Sequence, residues 1–315
     1  MRKEEFYFES RDNKSRIHAV RYTPDDGNVR AVVQIVHGMA EYVERYEEFA
    51  AYLTARGYVV TGEDHLGHGK SVGENGFGYF CEQDPATVVV RDVHRLKKMT
   101  EQLYPTVPYI ILGHSMGSFI LRNYLCRYGT GIEGAIIMGT GMQPKALVGA
   151  ARMLTEVIRR LTDDKHVSKL LHKMAFGAYN QRFAPARTPM DWLSKDEQKV
   201  DAYMADPLCG FIFTVNGFRT LFELIHRIQK PENLKKIPDV LPVLVVSGSD
   251  DPVGDYGEGV GRAVESMEAV GLKRLTRKMY SGDRHELLNE ADRMTVMEDL
   301  VRWMEGKVVG CHYGQ

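Results

Sequence analysis

The stretch Tyr109 to Asn123, YIILGHSMGSFILRN, leaves the chain few folds to choose from. An apolar run ends in Gly-His-Ser-Met-Gly and a second apolar pattern starts at once, so a buried strand passes through a very tight turn directly into a helix. Glycines two positions either side of Ser115 let strand and helix approach closely, and the serine hydroxyl is held out at the top of a sheet over the helix N-terminus. The five-residue pattern alone also fits an ordinary strand-to-helix turn. What distinguishes the two readings is whether an acid and a histidine follow in the right order.

The flanking chain repeats a strand–helix rhythm. Residues 4 to 23 alternate apolar and polar around Arg-Asp-Asn-Lys-Ser, which predicts an antiparallel hairpin at a sheet edge. Ala31 to Val36, Tyr58 to Thr61, Gly134 to Gly139, Leu241 to Val246 and Leu275 to Tyr280 predict further strands. The AVVQIV, GAIIMG and LPVLVV runs among them lack alternation, as in central parallel strands buried on both faces. Helical spacing marks Tyr46 to Arg56, Ala86 to Tyr104, Gly259 to Val270 and Ala291 to Met304. The rhythm breaks between Gly141 and about Pro238, where only helical patterns occur, at Ala146 to Leu161, around Trp192 to Tyr203, and at Thr220 to Ile228. The expectation is an α/β core formed by 1–141 and 237–315, with a helical cap of 142–236 inserted between two strands. Such an insertion lies above the carboxyl edge of a parallel sheet, where ligands bind.

A serine hydroxyl is a weak nucleophile at neutral pH and needs a base, held in the correct tautomer by a third group. In this architecture the order along the chain is Ser, acid, His. Ser115, the Asp250-Asp251 pair and His285 satisfy it, each just beyond a predicted strand, so their tips gather on one edge of the sheet. Spacing leaves Asp250 and Asp251 level as the acid. His312 also follows but sits in a polar tail, and His114 would point away from the nucleophile. Backbone N–H groups of Met116, after the serine, and of Met39, in the His37-Gly38-Met39 loop, are the candidate oxyanion donors. Asp64, His65 and His68 could suggest a metal site, but a tight loop whose side chains hydrogen-bond the backbone is the expected reading, since no third ligand is placed by a periodic element.

Bulk properties limit the partners. Lys plus Arg number 41 against 42 for Asp plus Glu, so no global field recruits nucleic acid or anionic lipid. Cys81, Cys126, Cys209 and Cys311 are scattered without metal-ligand spacing, which predicts free thiols, mostly small buried hydrophobes, in a reducing compartment. The first residues lack a signal-peptide core and no stretch approaches 18 apolar residues, so a cytoplasmic protein without stable membrane insertion is expected. No cofactor and no metal are called for.

Several stretches together resemble the α/β-hydrolases of the monoacylglycerol lipase and lysophospholipase group. They are His37-Gly38-Met39-Ala40-Glu41-Tyr42 with Arg45-Tyr46, Asp64-His65-Leu66-Gly67-His68-Gly69-Lys70-Ser71, Gly113-His114-Ser115-Met116-Gly117, Ser249-Asp250-Asp251-Pro252-Val253-Gly254, and His285-Glu286. The resemblance implies an α/β-hydrolase fold with a mostly parallel eight-stranded sheet and a helical cap, a Ser115–Asp251–His285 triad, and cleavage of a carboxylic ester through an acyl-enzyme. It is the resemblance that selects Asp251, immediately before Pro-Val-Gly. The implied substrate is a lipid-derived small-molecule ester such as a monoacylglycerol or lysophospholipid, with transient lipid-surface contact through the cap. A short-chain carboxylesterase or aminopeptidase on the same scaffold, and a silent small-ligand binding protein, are the alternatives. Tyr42 departs from the group, whose lipases often carry His there, and the cap is the least matched part.

Overall fold

The computed structural model describes residues 1–313. Eight strands form one sheet: β1 (Arg2–Glu9), β2 (Arg16–Thr23), β3 (Ala31–Val36), β4 (Tyr58–Glu63), β5 (Tyr109–His114), β6 (Gly134–Met138), β7 (Val243–Gly248) and β8 (Leu275–Tyr280). Their spatial order is β1-β2-β4-β3-β5-β6-β7-β8. β2 pairs antiparallel with β1 and β4, and every other neighbour is parallel. The runs without alternation are the interior strands: every residue of β3, β4, β5, β6 and β7 is buried, while β1 and β8 at the edges are mostly exposed.

Both faces of the sheet are covered, as parallel strands require. On one side α2 (Pro85–Leu103), α3 (Met116–Tyr128) and α9 (Glu258–Glu268) pack with Val32, Ile111, Ile137 and Val245 into one core. On the other, α1 (Glu47–Thr54) and α10 (Arg293–Met304) cover Val33, Ile110, Leu112, Ile136 and Val246. Each large side chain withdrawn from water contributes about 1.5–3 kcal/mol. From β3 the chain steps outward to β4, then back across to β5 on the other side. The carboxyl ends of β3 and β5 therefore lie side by side at a topological switch point, the crevice in which open α/β sheets bind ligands.

Between β6 and β7 come α4 (Lys145–Leu161), α5 (Lys169–Phe176), α6 (Glu197–Ala205), α7 (Val215–Ile228) and the single turn α8 (Pro231–Leu234). α7 buries Phe218, Leu221, Leu224 and Ile225 in the same core as α2 and α3. Two helix starts differ from the sequence expectation by five residues, both because of caps. Thr214 accepts from the Gly217 N–H and starts α7 five residues before Thr220. Asp196 accepts from the Gln198 and Lys199 N–H groups, so the helical pattern around Trp192 divides into a 3-10 turn, Asp191–Leu193, and α6. Among the described residues no helix is long and apolar enough to cross a membrane. The four cysteines are free, but Cys311 is exposed, a departure from the expected burial because it lies on the last surface turn.

The junction of β5 and α3 depends on two close approaches. A methyl on Gly113 would meet the backbone of Gly117, and one on Gly117 would meet the carbonyls of Val36 and His37 on the neighbouring strand and loop. Backbone atoms cannot yield as a side chain would, so Gly117→Ala should destabilise by about 3 kcal/mol. Gly149, in α4 with open space around its Cα, is the control. Gly149→Ala should stabilise by about 0.5–1 kcal/mol through helix propensity and unfolded-state entropy. Urea unfolding midpoints at unchanged slope measure both.

Candidate active site

Ser115 stands at the apex of the β5–α3 turn with φ 54° and ψ −121°, a conformation disfavoured for a side chain with a Cβ. Its N–H donates to the Met138 carbonyl at 3.0 Å, and its own carbonyl accepts from the Ser118 N–H at 2.9 Å and hydroxyl at 2.6 Å. Gly139, the residue after Met138, has φ +60° and lies against a histidine: an ideal Cβ there would sit 3.1 Å from His285 Cε1. Ser115 and His285 thus converge on the end of β6.

Asp251 follows β7 in a turn that its own side chain closes. Oδ1 accepts the Val253 N–H at 2.8 Å, and Oδ2 accepts the Ser247 hydroxyl at 3.1 Å and His285 Nδ1–H at 3.0 Å. Both Asp251 and His285 are buried. Asp250 is half-buried, with its carboxylate beside the Ser249 hydroxyl at 3.4 Å, so it is Asp251 that reaches the histidine. His312 lies on the terminal turn against the Thr106 carbonyl.

The loop after β3 lies against the serine: an ideal Cβ on Gly38 would be 3.1 Å from Ser115 Cβ. That loop carries Met39, and Met116 opens α3 on the serine's other side. Residues of the insertion pin the loop, since the Ala40 carbonyl accepts from the Gly210 N–H and the Tyr203 hydroxyl, both at 3.0 Å. Tyr42, the departure from the lipase pattern, donates to Asp206 beyond α6 at 2.8 Å.

Beneath the site is a buried polar cluster that sequence reasoning did not assemble. Arg45 makes two 2.8 Å hydrogen bonds to Glu286 and one of 2.6 Å to Glu41. Glu41 accepts from the Tyr46 hydroxyl at 2.9 Å and lies 3.2 Å from His114 Nδ1, while His114 Nε2 donates to the His285 carbonyl at 3.2 Å. Burial alone would favour the neutral form of each group. Pairing wins: His114 and Arg45 hold Glu41 well below the usual carboxylate range, Arg45 lowers Glu286, and Glu41 raises His114. The His114 ring lies 4.8 Å from that of His285. The available signal was a run of charged residues, Glu41 and Arg45, set between a glycine turn and an apolar helix.

The insertion adds Trp192, whose ring is 5.1 Å from that of His285. Nothing local in the sequence marks it.

The histidine loop after β4 is built on hydrogen bonds. His65 Nε2–H donates to the His37 carbonyl at 3.2 Å, His37 Nε2 accepts the His65 N–H at 3.0 Å, and His68 Nδ1–H donates to Leu66 at 3.1 Å. Asp64 accepts from the Val43 and Lys70 N–H groups, each at 2.9 Å. Burial lowers all three histidines, His68 to about 3, so they are neutral at pH 7. Elsewhere Glu5, His18 and Glu44 bring three metal-ligand atoms within 4.8 Å of one another. The Lys70 ammonium already lies 2.7 Å from Glu5 and 3.0 Å from Glu44, so the charge there is met.

Residues 27–292 match the family described as Serine aminopeptidase, S33. The chain is 30% identical over 287 residues to a monoacylglycerol lipase of Mycolicibacterium smegmatis, covering 90% of each chain. It is 27% identical to the monoglyceride lipase of Mus musculus, covering 93% of this chain and 88% of that one. A thermostable carboxyl esterase from Bacillus coagulans, solved in complex with glycerol, superposes with a TM-score of 0.90 at 29% identity, over 98% of this chain and 99% of that one. With its eight-stranded sheet, its serine elbow and these likenesses over most of its length, the chain belongs to the serine aminopeptidase S33 family of α/β-hydrolases and is a hydrolase of carboxylic esters.

Proposed function

We propose that the chain cleaves monoacylglycerols by acyl transfer through Ser115. His285 takes the Ser115 proton as the hydroxyl oxygen attacks the ester carbonyl, and the oxyanion is stabilised by the Met39 and Met116 N–H groups. His285 then returns the proton to the departing glycerol oxygen. Water repeats the sequence and releases the fatty acid. Asp251 stays ionised throughout, orienting the imidazole and stabilising its charged form. The observation that carries this reading is the buried 3.0 Å contact of His285 Nδ1 with Asp251 Oδ2, on the sheet edge that also bears the strained Ser115. The glyceride substrate is supported by the named activities of the relatives, and lysophospholipids share its single acyl chain.

In this reading residues 142–236 are the cap, and its α4–α5 face meets a lipid surface. Leu147, Met153, Val157, Leu161, Leu170 and Met174 are exposed there, Met153 by 71% and Leu161 by 80%. Between Lys145 and Lys173 seven basic side chains stand against three acidic ones, which suits an anionic interface. A cytoplasmic location, facing the inner leaflet, fits the free cysteines. A short-chain carboxylesterase or aminopeptidase would not need that face.

Four measurements test this. A fluorophosphonate probe should label the wild type and not Ser115→Ala, and an unlabelled wild type would overturn the acyl-enzyme mechanism. Asp251→Asn should reduce kcat by about 10⁴-fold and Asp250→Asn by far less; the reverse ranking would show the wrong carboxylate was chosen. Over a series of monoacylglycerols of graded length, kcat/KM should peak at long acyl chains. Met153→Ser with Leu161→Ser should lower turnover on anionic vesicles while leaving a water-soluble short ester unaffected.

A further inference from the structure

We propose that Trp192 is a positioning residue for His285: a ring supplied by the inserted segment that fixes the imidazole and stabilises its charged form during ester cleavage. This rests on His285 being the general base. The ring centroids are 5.1 Å apart with 38° between the planes, inside the roughly 6 Å range over which an aromatic face attracts a cation, and indole is the strongest such face.

Hydrogen bonds between the two segments hold the contact. The residues either side of His285 hold the residues either side of Trp192. Arg284 Nη1 donates to the Asp191 carbonyl at 2.5 Å and to that of Ser194 at 3.1 Å, and the Glu286 N–H donates to the Leu193 carbonyl at 2.7 Å. Glu290 fastens the same two segments. One of its oxygens accepts the Arg284 N–H at 2.7 Å, and the other accepts the Lys195 N–H at 2.9 Å and the Ser194 hydroxyl at 3.1 Å. Lys195 pairs with Asp283. A side chain that only walled off substrate would not need its turn registered residue by residue on the His285 loop.

The other groups facing His285 leave a definite task for this ring. Asp251 contacts Nδ1. His114, ring to ring at 4.8 Å, is held toward its charged form by Glu41 despite burial, and so opposes a second positive charge beside it. Arg45 and Glu286 offset one another behind it. Tyr179 stacks edge-on against Trp192 at 5.0 Å and, being buried near Asp251, remains neutral. Trp192 is the group from the insertion that favours the imidazolium without adding charge. Through Tyr179 and Phe176, whose rings are 5.4 Å apart, its placement is linked to α5.

The experiment compares Trp192→Phe and Trp192→Leu on a small soluble ester across pH, with fluorophosphonate labelling of each. Loss of the face should weaken the imidazolium, so in Trp192→Leu the acid limb of kcat/KM moves to lower pH by about 0.5–1 and kcat falls about tenfold, with KM within twofold. Trp192→Phe should recover most of both. A raised KM with an unmoved acid limb, or Phe as impaired as Leu, would overturn the inference while a labelled wild type leaves the ester-cleavage roles intact; an unlabelled wild type would remove both. If the Leu protein does not fold, emission decides. In a Trp303→Phe background Trp192 fluorescence should be quenched in one step as pH falls, and the step should vanish in His285→Ala. A wild-type ring that shows no step overturns the contact.

Discussion

One partly buried guanidinium joins three loops that the sheet delivers separately. Arg45 is shared by Glu41, from the loop after β3, and Glu286, from the loop after β8; Glu41 in turn meets His114 at the end of β5. Two carboxylates balance one guanidinium and one imidazole held toward its charged form, so the buried group of four tends to neutrality. Desolvation nearly offsets the attraction in such an arrangement, and net stability is not what it supplies. Deleting one member is another matter, costing about 3–5 kcal/mol by stranding a charge. The loops it ties are those that carry Met39, Ser115 and His285. Their mutual register is thereby enforced by the cost of separating buried charges.

The elbow is the second constraint, and it acts on a single residue. A non-glycine residue at the φ and ψ of Ser115 costs about 1–3 kcal/mol. The surroundings determine it from every side. Gly113 and Gly117 let α3 lie directly on β3 and β5, the Met138 carbonyl takes the serine N–H, and Ser118 caps the serine carbonyl. Relaxing the turn would require α3 to lift from the core that it shares with α2 and α7.

What was legible in the sequence follows from the range of the forces involved. Strands buried on both faces wrote themselves as unbroken apolar runs, so β3, β5, β6 and β7 could be read directly. Helix starts set by a capping side chain could not be read from apolar spacing, which is why α6 and α7 begin where Asp196 and Thr214 place them. Spacing could not separate Asp250 from Asp251, because neighbours in a turn differ only in which way the chain points them. The Asp251 side chain bonds the N–H two residues on and is drawn inward with it. Arg45 and Glu286 were visible as matched residues but not as partners, since their pairing spans 241 positions of sequence. Trp192 reads locally as one more apolar position in a helical pattern.

The His285 loop after β8 has two supports of different physical character. The sheet side is held by buried charge, where any separation exposes an unpaired ion to a medium that cannot solvate it. The insertion side is held by hydrogen bonds to backbone carbonyls and by ring contacts. Each neutral bond of that kind has a net worth of about 0.5–1.5 kcal/mol, and those from Arg284 and to Glu290 somewhat more, because water replaces them when they part. The two supports therefore differ in what they lose on opening rather than in how many contacts they contain. Displacing the insertion leaves the carboxylate–histidine pair and the knot under it in place, and removes Trp192 from beside His285. An insertion displaced to admit a long acyl chain would in that event leave the base weaker until it returned, so full competence of the histidine would require closure over the bound chain.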